Sequence, residues 1–91
     1  MKKEGYKIAH IEAGMRSFDN RMLEEINRTV CDKCSDFLFV YHKDYKKNLF
    51  KENIKKNVFV VGNTIIEPCI KIISKISKNR LIQDNYILVD I

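Results

Sequence analysis

The sequence predicts an α/β fold, a parallel sheet covered by helices. Three observations predict it. Short runs of apolar, β-branched and aromatic residues alternate with segments whose apolar positions recur at helical spacing. The strand runs are nearly continuous in hydrophobicity, the pattern of strands destined for burial on both faces. Each pair of strand runs is separated by one helix-length segment, which is what a parallel connection requires.

Residues 6–11 read as the first strand, bounded by Gly5 and by Glu12-Ala13-Gly14. From Leu23 to Cys34 the apolar positions Leu23, Ile26, Val30, Cys31 and Cys34 fall on one helical face, with Glu24, Glu25 and Lys33 pointing away. Residues 36–41, largely aromatic and β-branched, form a second strand. Residues 42–53 read as a helix with Tyr45, Leu49 and Phe50 inward, and residues 57–61 as a third buried strand. Gly62-Asn63-Thr64 breaks the chain before a helix running to about Lys78, whose apolar face is Ile66, Cys69, Ile70, Ile73 and Ile76. Pro68 must then lie in its first turn, where the missing N–H costs little. A polar connector over 79–85 leads to a fourth strand starting at Tyr86 and reaching Val89. With right-handed crossovers this order gives a Rossmann-like three-layer sheet.

Composition limits the alternatives. Ninety-one residues suffice for one domain and one thin core. A hydrophobic content of 45% with one Pro and three Gly excludes a disordered or collagen-like chain. Apolar runs reach only five residues, at 37–41, so no membrane partner is expected. The opening Met-Lys-Lys-Glu-Gly leads into no apolar signal segment, and three Cys without a secretory context point to reduced thiols and a cytoplasmic setting. The chain opens close to its first strand and closes inside an apolar run, leaving sheet edges without cover, so a piece of a larger α/β protein is expected.

The net charge of +5 raises nucleic acid as a partner. Thirteen of the seventeen basic residues are Lys and four are Arg, whereas base-edge readers rely on the planar fork of Arg. The lysines gather at 43, 46, 47, 51, 55 and 56 and again at 71, 75 and 78, at helical spacing opposite apolar stripes. That is a solvated helix face, and nucleic acid is not the expected partner.

The densest polar segment runs from His10 through Glu12, Gly14, Arg16, Asp19 and Arg21 to Glu24, Glu25, Asn27 and Arg28. It begins where the first strand ends, and ligands of open parallel sheets bind beyond the carboxyl ends of the strands. Gly14 suits a sharp exit turn. Glu12 and Glu24 would flank a loop carrying arginines, an inventory for acid/base work on an anionic substrate. Structural roles compete with that reading. Carboxylates in a first helical turn favour the macrodipole, Arg28 can pair with Glu24 at i,i+4, and His10 can be a satisfied buried histidine. Cys31-Asp-Lys-Cys34 lacks the second pair a zinc ribbon needs and sits at a helix end on the apolar side, so buried inert thiols are expected. Gly62-Asn63-Thr64 could bind phosphate at a helix N-terminus but lacks further glycines; Asn63 or Thr64 as an N-cap is the simpler role.

The segment His10-Ile-Glu-Ala-Gly-Met-Arg-Ser-Phe-Asp19 with Glu24-Glu-Ile-Asn-Arg28 closely resembles the non-hydrolysing UDP-N-acetylglucosamine 2-epimerases. The resemblance continues through Cys34-Ser-Asp-Phe-Leu-Phe39, Asn48-Leu-Phe-Lys-Glu52 and Val60-Val-Gly-Asn-Thr-Ile-Ile66, and spans about residues 7 to 90. It implies two Rossmann-like domains in a GT-B arrangement, an active site in the cleft between them, a homodimer, a UDP-sugar substrate and no cofactor. Residues 1–62 would be the C-terminal half of the N-terminal domain, and residues 63–91 the crossing helix and first strand of the C-terminal domain. Glu12 matches the glutamate of the family's His-x-Glu-Ala-Gly motif and Glu24 the first glutamate of its Pro-Glu-Glu segment, the two acid/base candidates. His10, Arg16 and Arg28 would support them, the arginines by organising the carboxylates. The implied reaction interconverts UDP-GlcNAc and UDP-ManNAc by anti elimination of UDP and syn re-addition, and the family places further groups for it outside these residues. Leu23 stands where the family has Pro. With the closing Asp90-Ile91, this reads as a segment of a split enzyme or a drifting remnant, inactive alone. The alternative is a small basic α/β module that docks a protein partner or nucleic acid through its lysine-rich helices.

Overall fold

The computed structural model describes residues 2–76 together with Asn85, Ile87 and Val89. The expected connector at 79–85 and the fourth strand lie outside the described residues but for those three positions. A short 3-10 turn, Lys2–Glu4, precedes three strands and three helices: β1 (Ala9–Ile11), α1 (Leu23–Cys34), β2 (Phe37–Val40), α2 (Lys43–Lys51), β3 (Val58–Val60) and α3 (Ile66–Ile76). The strands form one parallel sheet in the order β1-β2-β3, with His10 beside Leu38 and Leu38 beside Val58. Strand and helix order agree with the sequence reading, and α1 has the expected bounds.

The core lies on one face of the sheet. Leu38, Val40 and Val58 pack with Ala13 and with Leu49 of α2, and Tyr45 and Ile54 close the cluster. Leu49 and Ile54 meet because α2 ends in a paired cap. Ile54 N–H donates to Leu49 O at 2.9 Å and Asn53 N–H to Phe50 O at 3.1 Å, with Asn53 at φ 64°. This is the Schellman arrangement, with Asn in the left-handed position glycine usually fills, and it carries the expected apolar contact across the cap. At the other end of α2, His42 accepts the Asp44 amide through Nδ1 at 3.3 Å. The α2 lysines stand at the surface as read from the sequence; Lys47 pairs with Asp44 and Lys46 lies 5.4 Å from the Phe50 ring.

The other face of the sheet carries Ile11, Phe37, Phe39 and Phe59, and Phe39 stacks on Phe59 at 5.5 Å. Among the described residues nothing covers it: Ile11, Phe37 and Phe59 remain 55%, 37% and 45% exposed. Among the described residues the strands are therefore covered on one face, where the sequence predicted two.

Phe50 of α2, read as inward, is 41% exposed, and two further helices depart from the expected packing more widely. The apolar stripe of α1 faces outward, with Leu23, Ile26 and Val30 exposed, and the residues it buries are Glu25 and Asp32. Glu25, read as solvent-facing, points inward. Cys31 and Cys34, expected to be buried, are exposed because they share the outward side of α1, and Cys69 of α3 is exposed as well. α3 has the predicted apolar positions and carries Pro68 in its first turn, but buries none of its residues. No helix among the described residues is long and apolar enough to cross a membrane.

Candidate active site

The segment following β1 is built around three backbone requirements. The ladder runs one step past the strand, Ala13 N–H donating to Phe39 O at 3.1 Å. Glu12 sits at φ 70° and Gly14 at φ 76°. At Gly14 the conformation and the space agree: a Cβ there would lie 2.5 Å from the Tyr45 carbonyl oxygen, so only glycine fits. Glu12 has no such exemption. A non-glycine side chain in the left-handed region is strained by about 1–3 kcal/mol and persists where the surroundings hold it, often at functional positions.

Behind this segment lies a buried polar knot centred on Asp32. Its carboxylate accepts His10 Nδ1–H at 2.6 Å, the Gly14 amide at 3.1 Å and the Arg16 guanidinium at 2.7 Å. Arg16 also donates to both carboxylate oxygens of Glu52, at 2.7 and 2.8 Å, and to Met15 O at 2.7 Å. The two carboxylates hold the guanidinium pKa above its already high usual value, Glu52 contributing most. In return Arg16 holds Glu52 below the usual carboxylate range. Asn48 of α2 completes the support by donating to Gly14 O at 3.0 Å.

A second anchor fixes the rest of the loop. Glu25, 4% exposed, accepts the Ser17 amide at 2.8 Å, the Ser17 hydroxyl at 3.0 Å and the Phe18 amide at 3.3 Å. These bonds, the Ser17 amide first, depress its pKa. Asp19 and Arg21 pair within the loop at 2.7 Å.

The residues singled out in the sequence distribute as follows. His10 is satisfied by Asp32, as its bland reading had it. Glu24 and Arg28 pair at 2.6 Å across one turn of α1, with 58% of the Glu24 side chain exposed. Arg16 does not organise Glu12 or Glu24: it is turned to Asp32 and Glu52, because those two carboxylates are the ones buried beside it. Glu12 is held from a different direction, by the hydroxyl of Tyr41. Among the described residues Glu12 and Glu24 share no bonding partner. Asn63 accepts the Ile65 amide through Oδ1 at 3.0 Å, a turn just ahead of α3, while Thr64 lies near Tyr41. A cavity of about 510 Å³ opens at the amino ends of β2 and β3, lined by Lys33, Asp36 and Asn57 among others, and includes none of the candidate residues.

Sequence reasoning missed Asp32, Glu25, Glu52 and Tyr41. The three carboxylates were hidden by helical periodicity, which assigns polar residues to water. Tyr41 was absorbed into an aromatic strand.

The family model described as UDP-N-acetylglucosamine 2-epimerase matches residues 2–90. The chain belongs to the UDP-N-acetylglucosamine 2-epimerase family. The UDP-N-acetylglucosamine 2-epimerase of Methanococcus maripaludis is 45% identical over 92 residues, covering 86% of this chain and 25% of that protein. Among solved structures, the UDP-GlcNAc 2-epimerase of Methanocaldococcus jannaschii superposes with a TM-score of 0.77 at 43% identity, over 86% of this chain and 22% of that one. The Neisseria meningitidis enzyme, solved bound to UDP-GlcNAc, gives 0.78 at 31% identity over 85% of this chain and 22% of that one. The chain thus spans about a quarter of the length of the curated relatives it matches. Its fold is a segment of the family's α/β, Rossmann-like GT-B architecture.

Proposed function

We propose that this chain carries two acid/base carboxylates, Glu12 and Glu24, of a UDP-N-acetylglucosamine 2-epimerase, an isomerase interconverting UDP-GlcNAc and UDP-ManNAc. The observation that carries the proposal is the setting of Glu12: a strained residue at φ 70°, at the carboxyl end of β1, within a loop locked from behind by Asp32 and Arg16. Open parallel sheets bind ligands at that end.

The chemistry explains the need for two carboxylates. The C2 proton of an N-acetylglucosamine unit is not next to a carbonyl and is weakly acidic. One carboxylate takes it while the C1–O bond breaks and UDP leaves, giving 2-acetamidoglucal. UDP oxygen then returns to C1 as a proton is delivered to the opposite face of C2. Glu12 and Glu24 are the groups assigned to these transfers. His10 and Arg16 hold the Glu12 loop through Asp32, and Arg28 holds Glu24 directly.

In this reading residues 1–62 belong to the N-terminal domain, Gly62-Asn63-Thr64 opens the crossing to the C-terminal domain, and the working assembly is a cytoplasmic homodimer. Catalysis of this kind is mostly preorganised positioning, which needs both sides of a cleft. The 91 residues alone are therefore expected to be inactive. The test is a graft: residues 2–90 replace the corresponding segment of the M. maripaludis epimerase. The graft should interconvert the two UDP-sugars, and Glu12→Gln and Glu24→Gln should each abolish turnover. Full turnover in either variant would remove that residue from the mechanism.

A further inference from the structure

We propose that Tyr41 is a positioning residue for Glu12: its hydroxyl, set at the carboxyl end of β2, fixes the Glu12 carboxylate in its working orientation. The inference rests on the acid/base reading of Glu12.

Tyr41 is the first residue after β2 and is partly buried. Its hydroxyl donates to Glu12 Oε1, and Thr64 is close enough to lower the pKa of the phenol. Glu12 follows β1, Tyr41 follows β2 and Thr64 lies between β3 and α3. One phenol therefore ties the loop leaving β1 to the end of β2, with the loop leaving β3 beside it, at the end of the sheet where a substrate would sit. Among the described residues the Glu12 carboxylate has no other hydrogen-bond partner. An exposed glutamate samples many rotamers, and a productive proton transfer needs one of them. A tyrosine is well suited to select it, because its ring turns about few torsions and its root is fixed by the sheet. Glu12 and Thr64 act on the phenol in opposite senses. The Glu12 carboxylate pushes the Tyr41 pKa above its usual value of 10, and Thr64 pulls it down.

Two measurements test the proposal. In the M. maripaludis graft, Tyr41→Phe keeps the ring and removes the hydroxyl. It should lower kcat by about 10–100-fold and leave KM within about twofold, the pattern of an interaction needed for chemistry rather than binding. In the full 91-residue chain, alkaline titration of tyrosinate absorbance, taken as the difference between the parent and Tyr41→Phe, should place the Tyr41 phenol above the usual range. Glu12→Gln should bring that titration down, and Thr64→Val should move it further up. A phenol unmoved by Glu12→Gln overturns the contact. An unchanged kcat in Tyr41→Phe, with Glu12→Gln inactive, overturns the positioning role and leaves the Glu12 assignment standing. Unimpaired turnover in Glu12→Gln would instead remove the reading on which the proposal rests.

Discussion

Arg16 lies 2.7 Å from Asp32, with 2% of the arginine side chain and none of the aspartate side chain exposed. This pair joins the loop leaving β1 to the last turn of α1, and Glu52 extends it to the cap of α2. Charges are tolerated there because each is fully bonded, and among the described residues no buried side-chain polar atom lacks a partner. The pair sets the Glu12 loop from behind without reaching Glu12 itself.

Removing one member should expose what the other costs. Arg16→Leu leaves Asp32 buried with a charge that the His10 ring and the Gly14 amide share alone. Breaking such a pair costs about 3–5 kcal/mol. Urea unfolding followed by circular dichroism should show a loss of that size, and a loss below about 1 kcal/mol would mean that the knot is open to water.

Acid should loosen the same loop. Glu25 and Glu52 titrate below the usual carboxylate range when folded, Glu25 through the Ser17 amide and Glu52 through Arg16. Their stabilisation is complete above the unfolded value of about 4.3. As the pH falls below it, the unfolded chain takes up protons first, so stability drops until the folded pKa values are passed. The urea midpoint should fall between about pH 5 and pH 3, and Glu25→Gln should flatten that fall while lowering the midpoint at pH 7.

Gly14 offers a sharper steric test. Gly14→Ala puts a Cβ 2.5 Å from the Tyr45 carbonyl oxygen in a residue at φ 76°. The positive φ alone costs about 1–3 kcal/mol, and the clash with backbone adds to it. The thermal midpoint should drop clearly. Gly5→Ala, with positive φ but open space, should cost less.

Leu23 occupies the first position of α1, where its amide has no carbonyl within the helix to reach. Met22 before it lies at φ −82°, ψ 119°, the region a residue preceding proline must adopt. Leu23→Pro should therefore stabilise the chain by about 0.4–1 kcal/mol, read as a raised urea midpoint. A lowered midpoint would show that the α1 entry differs from the geometry described.

Local signals made much of this legible in the sequence. The offsets of Leu23, Ile26 and Val30 gave α1 its bounds, and Gly14 marked its turn by chemistry that only glycine supplies. The face of α1 was not legible, because periodicity tells which side of a helix is apolar and not what covers it. Glu25 and Asp32 go inward because Ser17, Gly14, His10 and Arg16 satisfy them, and those partners lie 8 to 22 residues away in sequence. Motif matching singled out Glu12 and Glu24 as candidates, yet the partner of Glu12 is a tyrosine 29 residues on, reached only once β1 and β2 pair. The expected service of Arg16 to Glu12 failed for the same reason: spacing along the chain did not reveal the competing carboxylates.

The most direct test of the central claim is deuterium incorporation at C2 of the sugar, measured in D₂O with the M. maripaludis graft and its Glu12→Gln and Glu24→Gln variants. If these two carboxylates move the C2 proton, epimerised product carries solvent deuterium at C2, and each variant loses incorporation by about 10²–10⁴-fold. Incorporation at the parent rate in both variants would contradict the account.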